Sequence, residues 1–284
     1  MKKLDIHVHA IPEKGPRRPR GGTYPTPEEL REMYRACGIS GGVLMPLLAP
    51  EHMHDPITSR MAEDMARDFP DVFRAWFCYL DPRMGTNSPQ NDFSYYIGYY
   101  RERGAKGVGE EQAGIWLDDP RMQALFAACE KEKTPVTVHV GRMGGRMGVA
   151  DTEGLPRLDR ILSEFPRLIL LGHAEAFWQE FLGTGERMIS LMRAHPGLYC
   201  DLSAGSGYRA LSENPEKTAR FLTEFSDRCV FGTDFADADQ IHGPNGKTPF
   251  FLDSLYESGM ISQSTWEKVC YRNAEELLLG VRTI

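Results

Sequence analysis

The chain has 284 residues, of which 41% are hydrophobic, so it is long enough to bury one large core and is expected to form a single domain over residues 1–284. The 40 acidic and 33 basic side chains give a net charge of −7, which argues against a surface built for nucleic acid or anionic membranes. No apolar run has the length of a signal or membrane-spanning segment, which predicts a soluble, cytoplasmic protein. The six cysteines form no C-x-x-C pair and are expected to be reduced, buried thiols.

Short apolar runs rich in β-branched residues alternate along the chain with longer stretches of helical periodicity. The predicted strands cover residues 4–9, 42–47, 72–80, 105–110, 135–140, 168–173, 198–203 and 229–234. A final helix is predicted over residues 264–279, after the last strand. Eight strand–helix units of this kind predict an α/β fold, a (β/α)₈ TIM barrel with a C-terminal helix.

Cap residues mark several of the intervening helices. Thr26 is a predicted N-cap followed by proline, and Gly38 is a predicted C-terminal stop. Residues 118–121 repeat the N-cap pattern before a helix over residues 122–133. The segments expected to be irregular all follow predicted strands, the end at which barrel enzymes carry their chemistry: 11–24, 82–92, 141–154, 204–212 and 235–247.

Two histidines, His7 and His9, stand two residues apart on the first predicted strand. Because side chains alternate between the faces of a strand, both imidazoles point the same way. Adjacent buried imidazoles need a cation or hydrogen-bond partners to stay neutral. A pair of ordinary exposed or core histidines is the alternative for this motif alone.

Further ligand-type residues stand at the ends of other predicted strands: His139 on the fifth, His173 on the sixth and Asp234 on the eighth. Neutral imidazoles combined with one carboxylate suit zinc and similar borderline cations. The sequence therefore predicts a divalent ion, best matched by Zn²⁺, with these ligands: His7, His9, His139, His173 and Asp234.

Taken in order, these motifs resemble the amidohydrolase superfamily, and particularly its amidohydrolase-2 branch of metal-dependent hydrolases and aminocarboxymuconate-semialdehyde-type decarboxylases. The resemblance spans nearly the whole chain and rests on D-I-H-V-H ending at His9, P-V-T-V-H ending at His139, L-L-G-H ending at His173, F-G-T-D ending at Asp234, and R-N-A-E-E-L-L around Asn273. It implies that four residues bind a metal: His7, His9, His139 and Asp234. His173 is implied to be either a ligand or a group that orients substrate and water. Asp5 and Asn273 also match family motifs, but both are expected to be structural.

The fourth predicted strand ends at Glu110 in a G-V-G-E stretch. This stretch looks like the strand-four glutamate of TatD-type deoxyribonucleases, which bind two ions. As a ligand, Glu110 would raise the number of ions from one to two. As a solvated loop acid it would not, and both interpretations remain open at this point.

Several side chains beyond the strand ends could contact a substrate. The loop after the fifth strand combines Arg142 and Arg146 with four glycines, and Arg209 follows the seventh strand, so a guanidinium could hold a carboxylate or phosphate. Trp178 lies beyond the sixth strand and could form an aromatic wall, while His242 lies in the loop beyond the eighth. Solvated basic loops and ordinary packing are the alternatives for each of them.

A bound divalent ion lowers the pKa of a coordinated water toward about 7, and Asp234 would then serve as the proton shuttle. His173 is the second residue expected to be catalytic. This predicts a hydrolase that acts on a small amide, ester or lactone with an anionic group. The alternatives are a decarboxylase of a small unsaturated or aromatic acid, a TatD-like phosphoesterase or nuclease suggested by Glu110 alone, and a closed structural metal site without enzymatic activity. No nucleic-acid or membrane partner is expected, and homo-oligomerisation is left open.

Overall fold

The computed structural model describes residues 1–18, 21–49, 55–145 and 147–279. The chain divides into two compact units. The first unit consists of Met1–Leu44, Arg60–Trp76 and Cys200–Ile284. The second unit consists of Met45–Ser59 and Phe77–Tyr199. The expectation of one domain over the whole chain stays a prediction.

Ten strands lie within the described ranges: β1 (Asp5–Val8), β2 (Gly42–Leu44), β3 (Phe73–Trp76), β4 (Val108–Glu111), β5 (Ala113–Trp116), β6 (Val136–Gly141), β7 (Gly148–Ala150), β8 (Leu170–His173), β9 (Leu198–Asp201) and β10 (Cys229–Val230). The α-helices of the same ranges are α1 (Pro27–Cys37), α2 (Ser59–Asp68), α3 (Met84–Asn87), α4 (Phe93–Glu102), α5 (Pro120–Lys131), α6 (Pro156–Glu164), α7 (Glu175–Gln179), α8 (Glu186–Ala194), α9 (Ala204–Ser212), α10 (Pro215–Glu224), α11 (Pro244–Glu257), α12 (Gln263–Glu267) and α13 (Asn273–Leu279). A 3₁₀ helix covers Ala238–His242, and a π-helical turn covers Lys268–Arg272. Among the helices described, none combines the length and the apolar character that crossing a bilayer requires.

The first unit contains a parallel sheet in which β2 lies between β1 and β3. Asp5 pairs with Gly42, and Gly42 pairs in turn with Phe73. Cys200 and Asp201 of β9 pair in parallel with Cys229 and Val230 of β10, also within this unit. Val8 also bridges in the parallel sense to Phe235, a few residues after β10. The end of β1 and the segment that follows β10 therefore lie side by side.

Both faces of β1 are buried. Asp5 and His7 on one face, and Ile6 and Val8 on the other, are each 0% exposed. A strand with two buried faces normally carries apolar residues on both of them. The two polar side chains on β1 therefore need partners within the protein.

The strand β6 organises the second unit, where it pairs in parallel with β4, β7 and β8. Val136 at its start is the partner of Val108 in β4 and of Leu170 in β8. Further along, His139 and His173 are direct partners across β6 and β8. This register places two of the predicted ligand residues next to each other.

The helix caps agree with the sequence-based predictions. The Thr26 hydroxyl accepts a hydrogen bond from the Glu29 backbone N–H, and the Glu29 carboxylate accepts one from the Thr26 backbone N–H. Pro27 is the first residue of α1, and Gly38 ends the helix in the left-handed conformation with φ of 66°. Asp119 caps α5 through its side chain. Because capped helices alternate with parallel strands, the predicted α/β class is confirmed.

All eight predicted strands are present, as β1 to β4, β6 and β8 to β10. The prediction of irregular structure is wrong for residues 204–212, which form α9, and for residues 148–150, which form β7. It is also wrong for residues 84–87, which form α3, and for residues 238–242 and 244–247, which lie in the 3₁₀ helix and in α11. Glycine and serine at the start of α9 disfavour a helix. The apolar side of α9 is nevertheless buried, with Ala210 and Leu211 at 1% and 0% exposure, and this packing outweighs the low helix propensity. The strand β7 has three residues and exists through pairing with β5 and β6, which no local pattern reveals.

The C-terminal prediction is confirmed, because α12, the π-helical turn and α13 follow one another without a break. Asn273 at the start of α13 donates side-chain hydrogen bonds to the carbonyls of Ser226 and Cys229, at 2.7 and 2.8 Å. These bonds hold the final helix against the start of β10 and support the expected structural role of Asn273. All six cysteines are buried and reduced, as predicted.

Candidate metal-ligand clusters

His7 and His9 lie at the C-terminal end of β1 with their imidazoles on the same side. Nε2 of His7 is 3.1 Å from Nε2 of His9, and the two ring planes meet at 80°. Oδ1 of Asp234 is 3.3 Å from Nε2 of His9 and 3.9 Å from Nε2 of His7. These three residues are termed the first-unit cluster. Their facing atoms have the spacing of ligands around one ion that lies about 2.1 Å from each of them.

The backbone around Asp234 holds its carboxylate in the first-unit cluster. Its φ angle of 55° lies in the left-handed region, which is uncommon for a residue with a Cβ atom. The Asp234 N–H donates to the carbonyl of His7 at 2.8 Å, and the Asn245 amide donates to the carbonyls of Thr233 and Asp234 at 2.7 and 3.1 Å. Backbone strain of this kind costs about 1–3 kcal/mol and is concentrated at functional sites.

Asp5 stands one alternation before His7, and four hydrogen bonds from protein groups reach its carboxylate. Its carboxylate accepts hydrogen bonds from the backbone N–H groups of His7 and Thr233, at 3.0 and 2.8 Å. It also accepts from the hydroxyls of Thr233 and Tyr34, at 2.6 and 2.9 Å. Burial raises the pKa of Asp5 to about 6, although these hydrogen bonds act in the opposite direction. The contacts support the structural role expected for Asp5.

Glu110, His139 and His173 form a separate group, termed the second-unit cluster. Nδ1 of His139 is 2.6 Å from Oε1 of Glu110, and Nε2 of His173 makes a short contact with the same oxygen. The two ring centroids are 4.9 Å apart, and one ligand atom from each residue lies within 4.8 Å of the others. Glu110 is 1% exposed and belongs to β4, so its interpretation as a solvated loop acid is wrong.

Gln112 fixes the second carboxylate oxygen of Glu110. Its side-chain amide donates to Oε2 of Glu110 at 2.5 Å, and Gln112 itself is 1% exposed. The neighbouring Glu111 is fully buried elsewhere, and burial, followed by the charge of Asp81, raises its pKa well above the ordinary range. The two consecutive acids therefore differ in role, and only Glu110 has the environment of a ligand.

Residues 4–279 match the family profile described as Amidohydrolase, Amidohydro_2. The chain belongs to this amidohydrolase family. The match confirms the resemblance carried by the strand-end motifs. No curated protein matches this chain significantly.

Solved structures of distant proteins share the fold of this chain. A probable 2-pyrone-4,6-dicarboxylic acid hydrolase from Acinetobacter baumannii, with citric acid bound, is 12% identical, with 99% of this chain and 100% of that chain covered and a TM-score of 0.61. A dihydroxybenzoic acid decarboxylase from Polaromonas, with manganese and 2-nitroresorcinol, is 14% identical over 99% and 98% of the two chains, with a TM-score of 0.57. A 5-carboxyvanillate decarboxylase from Novosphingobium aromaticivorans, with manganese, is 16% identical over 88% and 79%, with a TM-score of 0.53. These similarities confirm the predicted fold class.

The residues predicted to contact a substrate lie in different surroundings. Arg142 is 36% exposed and makes long contacts with the Asp151 carbonyl and a Glu180 carboxylate oxygen, at 3.3 and 3.5 Å. Arg209 is exposed on the last turn of α9, and His242 is exposed at the end of the 3₁₀ helix. Arg146 lies outside the described residues. Their roles in binding stay predictions.

Trp178 in α7 is buried, with 1% exposure. Its ring lies edge-on to those of Phe177 and Phe181, with centroids 5.5 and 6.0 Å away. Its indole nitrogen has no hydrogen-bond partner among the residues described. Packing thus accounts for the ring, and the predicted contact of Trp178 with a substrate stays a prediction.

Two polar residues beside the clusters escaped the sequence analysis. Gln112 holds Glu110, and Asp201 at the end of β9 contacts the imidazole of His7. A partial signal for Asp201 existed, since it is an acid inside the predicted strand 198–203, although the observed strand ends at Asp201 and the predicted one did not. No comparable signal marks Gln112, whose amide is one of many in the chain.

Proposed function

We propose that this protein is a metal-dependent hydrolase of a small amide, ester or lactone that carries an anionic group. The observation that carries this proposal is the first-unit cluster, in which two imidazole nitrogens and a carboxylate oxygen lie within 3.9 Å of one another. Membership of a family whose relatives include hydrolases and decarboxylases supports an enzymatic role.

The donor atoms of both clusters fit a divalent transition-metal ion. Imidazole nitrogens with one carboxylate oxygen suit Zn²⁺, the ion we propose, and also Mn²⁺, which is present in two structures of similar fold. When bound, such an ion lowers the pKa of a coordinated water and polarises a carbonyl oxygen.

An ion in the second-unit cluster would make Glu110 a ligand. The expectation of an ion shared by the following residues stays a prediction: His7, His9, His139, His173 and Asp234.

Asp234 is the proposed proton-transfer residue. Its side chain is 22% exposed, whereas those of His7 and His9 are 0% and 1% exposed, so a substrate can approach the cluster at Asp234. The carboxylate would accept a proton from the attacking water and pass it to the leaving group. His173 is proposed as a ligand or as an orienting group within the second-unit cluster.

A guanidinium group would hold the anionic part of the substrate. Arg142 makes only long contacts, so its side chain can turn toward an anion at little cost, and Arg209 is exposed. The Acinetobacter baumannii protein supports this choice, because it is described as a probable hydrolase of a dicarboxylic acid and its structure contains citric acid. We therefore propose a carboxylate-bearing substrate.

Decarboxylation is the second candidate, supported by the two decarboxylases that share the fold. Asp234 would then deliver a proton to the substrate carbon while an arginine holds the departing carboxylate. A TatD-like phosphoesterase is a third candidate, which depends on Glu110 as a ligand.

The reaction class is tested on purified protein loaded separately with Zn²⁺ and Mn²⁺ and analysed for bound metal. The protein is assayed with esters, lactones and amides, each with and without a carboxylate, and with aromatic and unsaturated acids under carbon dioxide detection. We expect hydrolysis of the carboxylated compounds. Carbon dioxide release without hydrolysis would favour the second candidate, and a protein that retains neither metal would contradict both.

Asp234→Asn tests the residue that the mechanism depends on. We expect turnover to fall by about 10²- to 10⁴-fold because the amide cannot accept the proton, while the fold is retained. The matched control is Asp239→Asn, which changes an exposed acid in the same segment and should leave turnover unchanged. Full activity of Asp234→Asn would remove this residue from the mechanism.

A further inference from the structure

We infer that Asp201 is a positioning residue that selects the tautomer and fixes the ring orientation of His7. The inference rests on the proposed metal-binding role of His7. Oδ2 of Asp201 is 2.6 Å from Nδ1 of His7, and both side chains are 0% exposed. A buried carboxylate this close to a ring nitrogen forms a charge-assisted hydrogen bond.

The direction of this hydrogen bond determines which nitrogen of His7 can bind a cation. An ionised carboxylate has only acceptor atoms, so Nδ1 of His7 must be the donor. The proton is therefore on Nδ1, and the lone pair is on Nε2. Nε2 is the atom that lies 3.1 Å from Nε2 of His9 and 3.9 Å from Oδ1 of Asp234. Asp201 thus acts on the edge of the ring opposite the first-unit cluster.

Asp201 is itself held in place. Its Oδ1 accepts a hydrogen bond from the Ser203 backbone N–H at 3.0 Å, and its backbone is in register with Val230 of β10. Gly232 leaves the space that this carboxylate occupies, because a Cβ atom at that position would lie 2.6 Å from Oδ1 of Asp201. With both oxygens engaged, the carboxylate cannot turn away without losing a hydrogen bond.

The two buried acids next to His7 have different functions. Asp5 accepts a hydrogen bond from the His7 backbone N–H, at 3.0 Å, and its other bonds come from Thr233 and Tyr34. Asp201 contacts the ring of His7 instead. Carboxylates that hold the far nitrogen of a ligand histidine raise its basicity, and their loss weakens metal binding by about 10- to 100-fold.

Asp201→Asn tests the inference, with Co²⁺ as the probe. We expect the affinity for Co²⁺ to fall by about 10- to 100-fold. The visible absorption bands of the bound Co²⁺ should keep their wild-type shape, because the coordination number is unchanged. The matched control is Asp253→Asn, which removes a partly buried carboxylate bonded to Lys3 and Trp266 in the same unit and should leave the affinity unchanged. Unchanged affinity in Asp201→Asn would overturn the inference. Weaker binding with altered bands would also overturn it, since the coordination of the ion would then have changed and Asp201 would be a direct ligand.

A second measurement needs neither a variant at Asp201 nor a metal. Long-range ¹H–¹⁵N correlation spectra of the metal-free wild type at pH 8, with the His7 signals assigned by their loss in His7→Asn, report which ring nitrogen carries the proton. We expect the proton on Nδ1, and a proton on Nε2 would overturn the inference. If the wild type binds no Co²⁺, the proposed function fails, while this spectrum still decides the role of Asp201.

Discussion

Gly232 is the residue that leaves room for Asp201. A Cβ atom there would lie 2.6 Å from Oδ1 of Asp201, 2.8 Å from Cβ of Ser203 and 3.1 Å from Cγ2 of Ile6. We predict that Gly232→Ala lowers the free energy of unfolding by about 1–3 kcal/mol because of overpacking. We also expect weaker Co²⁺ binding, because Asp201 would be displaced from His7. Urea unfolding and cobalt titration measure the two effects.

Gly205→Ala provides the control for this substitution. A Cβ atom at position 205 would meet its nearest neighbour, Oδ1 of Asn245, at 3.4 Å, which is an ordinary contact distance. Alanine also favours the helix α9, so the stability should be unchanged or slightly higher. If Gly232→Ala bound cobalt as tightly as Gly205→Ala does, the position of Asp201 would not matter for the ion.

The proximity of His7 to His9 could be predicted because it is local, whereas the proximity of His139 to His173 also depends on the pairing of two strands. Alternation along β1 alone places His7 and His9 on one side, and the pairing of β6 with β8 places His139 beside His173. The contact between Asp201 and His7 could not be predicted, because it joins residues 194 positions apart in the sequence. Its geometry depends on the strand register, which no single segment encodes.

At the scale of the elements, Asp159 connects α6 to α8. Its carboxylate is 2.8 Å from Nη2 of Arg187 in α8 and 2.6 Å from Nε2 of His195, which follows that helix. Burial raises the pKa of Asp159, but the hydrogen bonds from Arg187 and His195 outweigh it, so the net pKa lies below the ordinary value. The folded state therefore favours the ionised form, and the resulting stability is present above about pH 4 and is lost as the pH falls through the lowered pKa.

Asp159→Asn is predicted to lower the free energy of unfolding at pH 7 by about 0.5–1 kcal/mol, a modest value because the carboxylate is 39% exposed and screened by solvent. The difference from the wild type should shrink as the pH falls below about 4, where the wild-type carboxylate becomes protonated. Denaturant unfolding at pH 7, 5 and 3 measures this trend. A difference that stayed constant across the three pH values would contradict an electrostatic origin.

Short elements show where sequence reasoning reaches its limit. The three residues of β7 contain too few positions for a period-two pattern, and the strand is stable because Gly148 and Ala150 pair with Ala113 and Trp116 of β5. The longer α1 and α5 could be predicted because caps and apolar spacing agree within each helix. An element could be predicted where its caps and its apolar spacing agree, and it could not be predicted where it depends on pairing with a distant strand.

For the whole molecule, the six buried cysteines report on the integrity of the core. Burial raises the pKa of Cys37 to about 11 and raises those of Cys129, Cys200 and Cys270 well above the ordinary range. We predict that none of the six thiols reacts with Ellman's reagent in the native protein at pH 8, and that all six react in denaturant. A thiol that reacts rapidly in the native protein would reveal local opening at that cysteine.

The alternation of β1 between polar and aliphatic side chains, both fully enclosed, also restricts how the polypeptide can misfold. A slip of one residue would exchange the two sets, so that Ile6 and Val8 would face Thr233 and Tyr34, while the imidazole of His7 would enter a hydrocarbon environment. Each buried polar group left without a hydrogen-bond partner would lower the stability by roughly 2–7 kcal/mol. The residues proposed for chemistry therefore also fix the register of β1. A chain in which this strand pairs one residue out of register is much less stable than the native fold.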